Sequence, residues 1–220
     1  EGVMCIKERP WQGLYADGIA TLDYERGKAA SILPEPWQTD DSIGSWGYKA
    51  GSPYMTPDLV VDKLIDIVSK NGNMLLNIPI KADGTLDQEA TSLLKNVGKW
   101  FAVNGEAIYG TRPWYLYGEG HHQIGHKDLV SPMTSRDFRY TTKGDTLYAF
   151  VLAWPNAKKK PVEFPNLVKT NTRIKEVASV EMLGHKGDLK WENHPDGLHV
   201  YFPEKKPCDY AFVLKINFVD

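Results

Sequence analysis

Cysteine is scarce in this chain: 220 residues contain two, Cys5 and Cys208. They fall in segments of different texture, read as different domains, which sets aside a disulfide scaffold. Cys5, inside an apolar run, is expected to be a small buried hydrophobe. An excess of charge of one sign is also missing. A formal net charge of −2 and a pI near 6.3 give no basic field for nucleic acid, and Lys158-Lys159-Lys160 reads as a solvated turn. No apolar run approaches membrane-spanning length and no secretory leader is recognisable. The histidines cluster locally in Gly120-His121-His122-Gln123-Ile124-Gly125-His126, without cysteine or a set of strand-end carboxylates beside them. A surface loop is the reading there, and no metal or cofactor is expected. Internal repeats and low-complexity linkers are absent.

Aromatic and polar residues instead concentrate between Pro34 and Tyr48, where Trp37, Trp46 and Tyr48 accompany Gln38, Thr39, Asp40, Asp41 and Ser42. The stretch reads as a loop walling a sugar site. A pyranose offers an apolar face for an indole and a polar rim that needs hydrogen-bond partners. Packing of the loop on its own domain is the alternative, open above all for Trp37.

Around this stretch the pattern is α/β. Thr21–Gly27 reads as a short strand with Asp23 and Glu25 on one face and Leu22 and Tyr24 on the other. Thr56-Pro57-Asp58 combines a capping residue, proline at the first helical position and early negative charge, and predicts a helix closed by Asn71-Gly72. Met74 to Pro79 reads as a strand buried on both faces. A second helix is predicted over roughly 87–103, ended by Asn104-Gly105. Beyond Arg112 the texture becomes all-β, with β-rich runs at 145–154, 173–183, 197–202 and 210–216 separated by Gly, Pro, Asn and Asp. An antiparallel β-sandwich is expected there. The expected domains are residues 1–111, α/β, and 112–220, all-β.

Several landmarks taken in order carry a family resemblance. Tyr24-Glu25-Arg26-Gly27, Pro36-Trp37-Gln38-Thr39-Asp40, Ser45-Trp46-Gly47-Tyr48, Asn71-Gly72-Asn73-Met74-Leu75-Leu76-Asn77, Ala82-Asp83-Gly84-Thr85 and Asn104-Gly105-Glu106-Ala107-Ile108-Tyr109-Gly110-Thr111-Arg112-Pro113-Trp114 resemble the C-terminal half of family 29 α-L-fucosidases. The resemblance implies the second half of a (β/α)8 barrel followed by a C-terminal β-sandwich. A whole barrel takes roughly 250 residues, so only about half of one fits before residue 111. The chain also begins at Glu1 on the apolar run Val3-Met4-Cys5-Ile6. The expectation is a fragment whose first barrel half is missing or supplied by another segment.

The same resemblance implies a retaining exo-α-L-fucosidase acting on fucosylated glycans, in an extracytoplasmic setting, with neither nucleic acid nor membrane as partner. Glu25, at a strand's C-terminal end, takes the general acid/base position; a structural ion pair with Arg26 or Arg9 is the alternative. Arg9 resembles the arginine near the fucose, although Lys7-Glu8 replaces the family's usual Asn-Asp before it. Trp46 resembles a wall of the pocket for the fucose methyl face, and Trp37 is a further substrate-binding candidate. No position matches the family's nucleophilic aspartate, so the chain by itself is expected to be catalytically incomplete. A non-catalytic carbohydrate-binding protein on the same fold is the alternative function.

Overall fold

The computed structural model describes residues 3–7, 17–120, 133–155 and 160–219; Arg9, His121, His122 and His126 lie outside the described residues. The chain divides into two compact units, with the change between Lys99 and Trp100.

The first unit holds four parallel strands, β1 (Cys5–Lys7), β2 (Thr21–Glu25), β3 (Trp37–Ser42) and β4 (Gly72–Asn77), hydrogen-bonded in that sequential order. Helix α1 (Pro57–Ser69) makes the crossover from β3 to β4, and α2 (Gln88–Asn104) follows β4. Parallel neighbours need such a crossover, and sequential order is what half of a closed βα barrel requires.

Helix α1 forms because Pro57 presets the first turn and Asp58 meets its positive end, while Val60, Val61, Ile65 and Ile67 are buried. Thr56 occupies the N-cap in extended backbone, but its side chain makes no capping bond. The helix ends where Asn71 turns left-handed, at φ 71°, a conformation asparagine tolerates. Gly72 then begins β4 directly under Trp37. A Cβ at Gly72 would lie 2.5 Å from the indole carbons Cε2 and Cζ2, so only glycine leaves room for that ring.

The sheet has two unlike faces. Leu22, Tyr24, Trp37 and Met74 pack with Ile67 of α1, and Asp41 on the same face of β3 reaches Lys63 of α1. The alternate residues Lys7, Asp23, Glu25, Gln38, Asp40, Asn73, Leu75 and Asn77 form the opposite face. That face is polar, where barrel interiors are usually filled by branched apolar side chains.

Three expectations change here. The segment Trp37–Ser42 is a central strand rather than a loop, because its polar residues are satisfied from neighbouring elements. The run from Met74 is buried on one face only, with Leu75 58% exposed. Cys5 is exposed rather than buried, because it belongs to the face away from the helices.

The second unit contains two antiparallel sheets. One has the order β5 (Arg112–Glu119), β6 (Phe138–Lys143), β7 (Thr146–Val151), β12 (Phe212–Phe218), β9 (Val177–Met182). The other has the order β10 (Lys190–His194), β11 (Gly197–Tyr201), β8 (Val162–Phe164). Phe138, Tyr140, Leu147 and Leu214 of the first sheet share one core with Val162, Phe164, Leu198 and Val200 of the second. This is a β-sandwich. At its start Trp100 is buried and donates its indole N–H to the Ala211 carbonyl at 2.8 Å.

Candidate active site

All four strands of the first unit run the same way, so their last residues, Lys7, Glu25, Ser42 and Asn77, line one rim. Lys7 reaches across two strands. Its ammonium lies 3.2 Å from Asp23 Oδ2 and bonds Asp40 Oδ1. Burial alone would lower the Lys7 pKa, but the hydrogen bonds and attraction of Asp40 and Asp23 outweigh it and hold the ammonium above its ordinary value. Asp23 is buried, and its second oxygen, Oδ1, has no hydrogen-bond partner among the described residues. A carboxylate oxygen kept so dry is costly unless something else meets it.

Glu25 stands two residues beyond Asp23 on the same face, beside Asp40 in register, and is exposed. No ion pair or hydrogen bond engages its carboxylate among the described residues. The guanidinium that follows it goes elsewhere. Arg26 is left-handed, with φ 54°, a conformation uncommon outside glycine. The turn is pinned by the Arg26 amide donating to the Asp40 carbonyl at 2.8 Å. The side chain then crosses the rim, donates to the Gly44 carbonyl at 2.8 Å, lies 3.7 Å from Asp41 Oδ1, and covers the Trp46 ring at 4.6 Å. Of the two ion pairs weighed for Glu25, the one with Arg26 is therefore not formed; Arg9 lies outside the described residues.

Trp46 is 42% exposed, and its loop is clamped from below. Asn77 Nδ2 donates to the Trp46 carbonyl at 3.0 Å and to Ser42 Oγ at 2.8 Å, and Ser42 Oγ donates to the Ser45 carbonyl at 3.0 Å. An aromatic face is thus held at the rim by Arg26, Ser42 and Asn77. Trp37 is a different case. It is fully buried, donates its N–H to the Lys70 carbonyl at 2.8 Å and meets Tyr24 edge-on at 5.3 Å. No indole surface is left for a sugar, so its assignment to substrate binding is corrected to the core. The sequence reading missed Lys7 as the bridge between two carboxylates and Arg26 as the clamp on Trp46. The Glu25-Arg26-Gly27 motif held the second signal, since a charged residue before glycine at a strand end marks a tight turn.

Parallel strands in sequential order presenting carboxylates and an aromatic at their C-terminal ends, in a chain that also carries an antiparallel sandwich, are what part of a βα barrel with an appended β domain shows. The comparisons with known proteins agree. The family profile described as "Alpha-L-fucosidase" matches residues 3–106, and the one described as "Alpha-L-fucosidase C-terminal domain" matches residues 131–217. Tissue α-L-fucosidase of Homo sapiens is 33% identical over 203 residues, covering 88% of this chain and 39% of that protein. Plasma α-L-fucosidase of Homo sapiens is 31% identical over 205 residues, covering 88% and 40%. Among solved structures, α-L-fucosidase isoenzyme 1 from Paenibacillus thiaminolyticus superposes with a TM-score of 0.71 at 28% identity, covering 91% of this chain and 45% of that one. A Thermotoga maritima α-fucosidase in complex with fucose shares the fold, with a TM-score of 0.68 at 23% identity. The chain belongs to the α-L-fucosidase family. It spans about two fifths of the length of the curated relatives it matches.

Proposed function

We propose that this chain is the acid/base-bearing part of a retaining exo-α-L-fucosidase, and that Glu25 is the acid/base. The observation that carries the reading is the placement of Glu25: exposed at a parallel strand's C-terminal end, on the face of Asp23 and Asp40, unclaimed by Arg26, and close in sequence to the clamped Trp46. In the double displacement a carboxylate attacks the sugar's anomeric carbon while Glu25 protonates the leaving oxygen. Glu25 then takes a proton from water as that water releases the sugar. The Trp46 ring covers the methyl-bearing face of fucose, and Arg9 orients a carboxylate or a hydroxyl nearby. The substrate class is a terminal α-L-fucoside of a glycan.

The nucleophilic aspartate belongs to sequence outside these 220 residues, on the strands that complete the barrel; the relatives' greater length supports this. Residues 1–111 are then the C-terminal part of the catalytic barrel and 112–220 the sandwich domain. Lys7 bridges Asp23 and Asp40 on the face that carries the acid/base.

The test uses Glu25→Ala in the complete enzyme. Natural glycosides, whose alkoxide leaving groups need a proton, should lose about 10²- to 10⁴-fold in rate. Aryl fucosides need little protonation and should lose much less in the first step, with the covalent intermediate accumulating. Azide needs no base and should restore turnover, giving a fucosyl azide of retained α configuration. Equal losses on both substrates without azide rescue would remove Glu25 from the chemistry.

A further inference from the structure

The hairpin joining β10 to β11 carries three side chains that converge without any part in the barrel chemistry. Its turn is short and stiff: His194 pairs with Gly197, leaving Pro195 and Asp196 as the two turn residues. Pro195 has a ring-fixed φ. Gly197 adopts φ 143°, and a Cβ there would lie 2.4 Å from the Phe164 carbonyl oxygen, so the turn is seated against β8. On this support Asp196 Oδ1 lies 2.5 Å from His194 Nδ1 and 2.8 Å from His199 Nε2. The three donor atoms all fall within 4.8 Å of one another. The two imidazoles stack at 4.5 Å, and His199 is only 9% exposed, which fixes its ring, while His194 and Asp196 remain open to solvent. Across the sheet, His199 is flanked in register by Glu192 and Glu163, so this face is acidic around the histidines.

We propose that His194, Asp196 and His199 bind one divalent transition-metal ion of the zinc class. Two imidazole nitrogens and one carboxylate oxygen suit zinc, with solvent in the fourth position, and suit calcium or magnesium poorly. Metal–ligand bonds of about 2.0–2.2 Å in a tetrahedron separate neighbouring donors by roughly 3.3 Å. The two spacings to Asp196 need to open by only about 0.5–0.8 Å, which the exposed His194 and Asp196 side chains allow. Without metal, each ring presents an N–H to the shared carboxylate oxygen. To ligate, each neutral ring carries its proton on the other nitrogen and turns a lone pair toward the ion.

The experiment is calorimetric titration of the chelator-stripped full-length protein with Zn²⁺. The expected result is a saturable site, weakened at least about tenfold in His194→Ala and in Asp196→Asn, since even indirect supports of a metal ligand matter to that extent. The triple variant His121→Ala/His122→Ala/His126→Ala should keep it. Co²⁺ at the same site should give the visible absorption of a tetrahedral ion, and excess Mg²⁺ should not displace it. His194 is exposed, so its replacement leaves the fold intact. Absence of a saturable site, undiminished binding in both His194→Ala and Asp196→Asn, or its loss in the triple variant would each overturn the proposal.

Discussion

The two tryptophans of the aromatic stretch should respond to truncation in opposite ways. For Trp37→Ala, loss of a fully buried indole leaves a cavity between β3, β4 and α1, and such truncations cost about 3–5 kcal/mol. The edge-on contact with Tyr24 is part of that sum. The lost N–H donor adds little, because the Lys70 carbonyl keeps the Leu33 amide at 3.4 Å. A total near 4 kcal/mol is a large share of a domain's usual stability of about 5–15 kcal/mol. Trp46→Ala removes a half-exposed ring whose main partner is the Arg26 guanidinium, a contact worth roughly 0.5–1 kcal/mol. Its stability loss should stay under about 1 kcal/mol, while affinity for fucose falls by about 1–3 kcal/mol if the ring covers the sugar. Urea unfolding of both variants, with calorimetric titration of free fucose on the complete enzyme, separates the cases. A small loss for Trp37→Ala would refute the core assignment, and unchanged fucose affinity in Trp46→Ala would refute the pocket role.

Gly72→Ala should destabilise by about 1–3 kcal/mol, because the new methyl would sit 2.5 Å from the Trp37 ring; urea unfolding measures it, and combination with Trp37→Phe should be less than additive. Lys63→Met strips Asp41 of its 2.8 Å buried partner and leaves Arg26 at 3.7 Å, so a loss of about 3 kcal/mol is expected, largely recovered in the double variant with Asp41→Asn. Burial, and then the hydrogen bond to Asp87, push the Tyr54 phenol up to about 12 from its ordinary 10.0. A raised acid contributes fully below its unfolded value, so this contribution holds below pH about 10 and is lost as the pH climbs toward 12. Melting temperature against pH should fall less steeply above pH 10 in Tyr54→Phe than in the parent. The Ala90 amide chiefly holds Asp87 below the ordinary carboxylate range, so its contribution is present above that range and lost on acidification; Asp87→Ala should lower the melting temperature near neutrality more than in acid.

What was legible in the sequence followed from local chemistry. Pro57, Asp58 and the left-handed Asn71 bound α1 within a few residues of themselves, and β-rich runs between turn-forming residues exposed β7, β9, β11 and β12. Strand β3 was not legible. Trp37-Gln38-Thr39-Asp40-Asp41-Ser42 reads as a polar loop because the groups that satisfy it are distant in sequence: Lys63 for Asp41, Lys7 for Asp40, the Tyr24 and Gly27 carbonyls for Thr39. Cys5 and Leu75 misled for a related reason. Their apolar character suits the interior of a closed barrel, and here that face of the sheet is open.

The site followed the same division. The position of Glu25 at the end of β2 was legible because a strand end is a local feature and the motif around it is contiguous. Trp46 and Trp37 could not be told apart from composition, since both are indoles in one aromatic stretch. What separates them is parity on a strand against position in a loop, and parity is visible only once β3 is known to start at Trp37 and pair with Gly72. The course of the Arg26 side chain was not legible. A glutamate beside an arginine in sequence suggests a neutralised pair. The left-handed turn instead carries the guanidinium across the rim to Asp41, Gly44 and Trp46. The guanidinium that could have paired with Glu25 is engaged with Asp41, Gly44 and the Trp46 ring, so a single left-handed turn both leaves the Glu25 carboxylate without Arg26 and fixes that ring beside the rim.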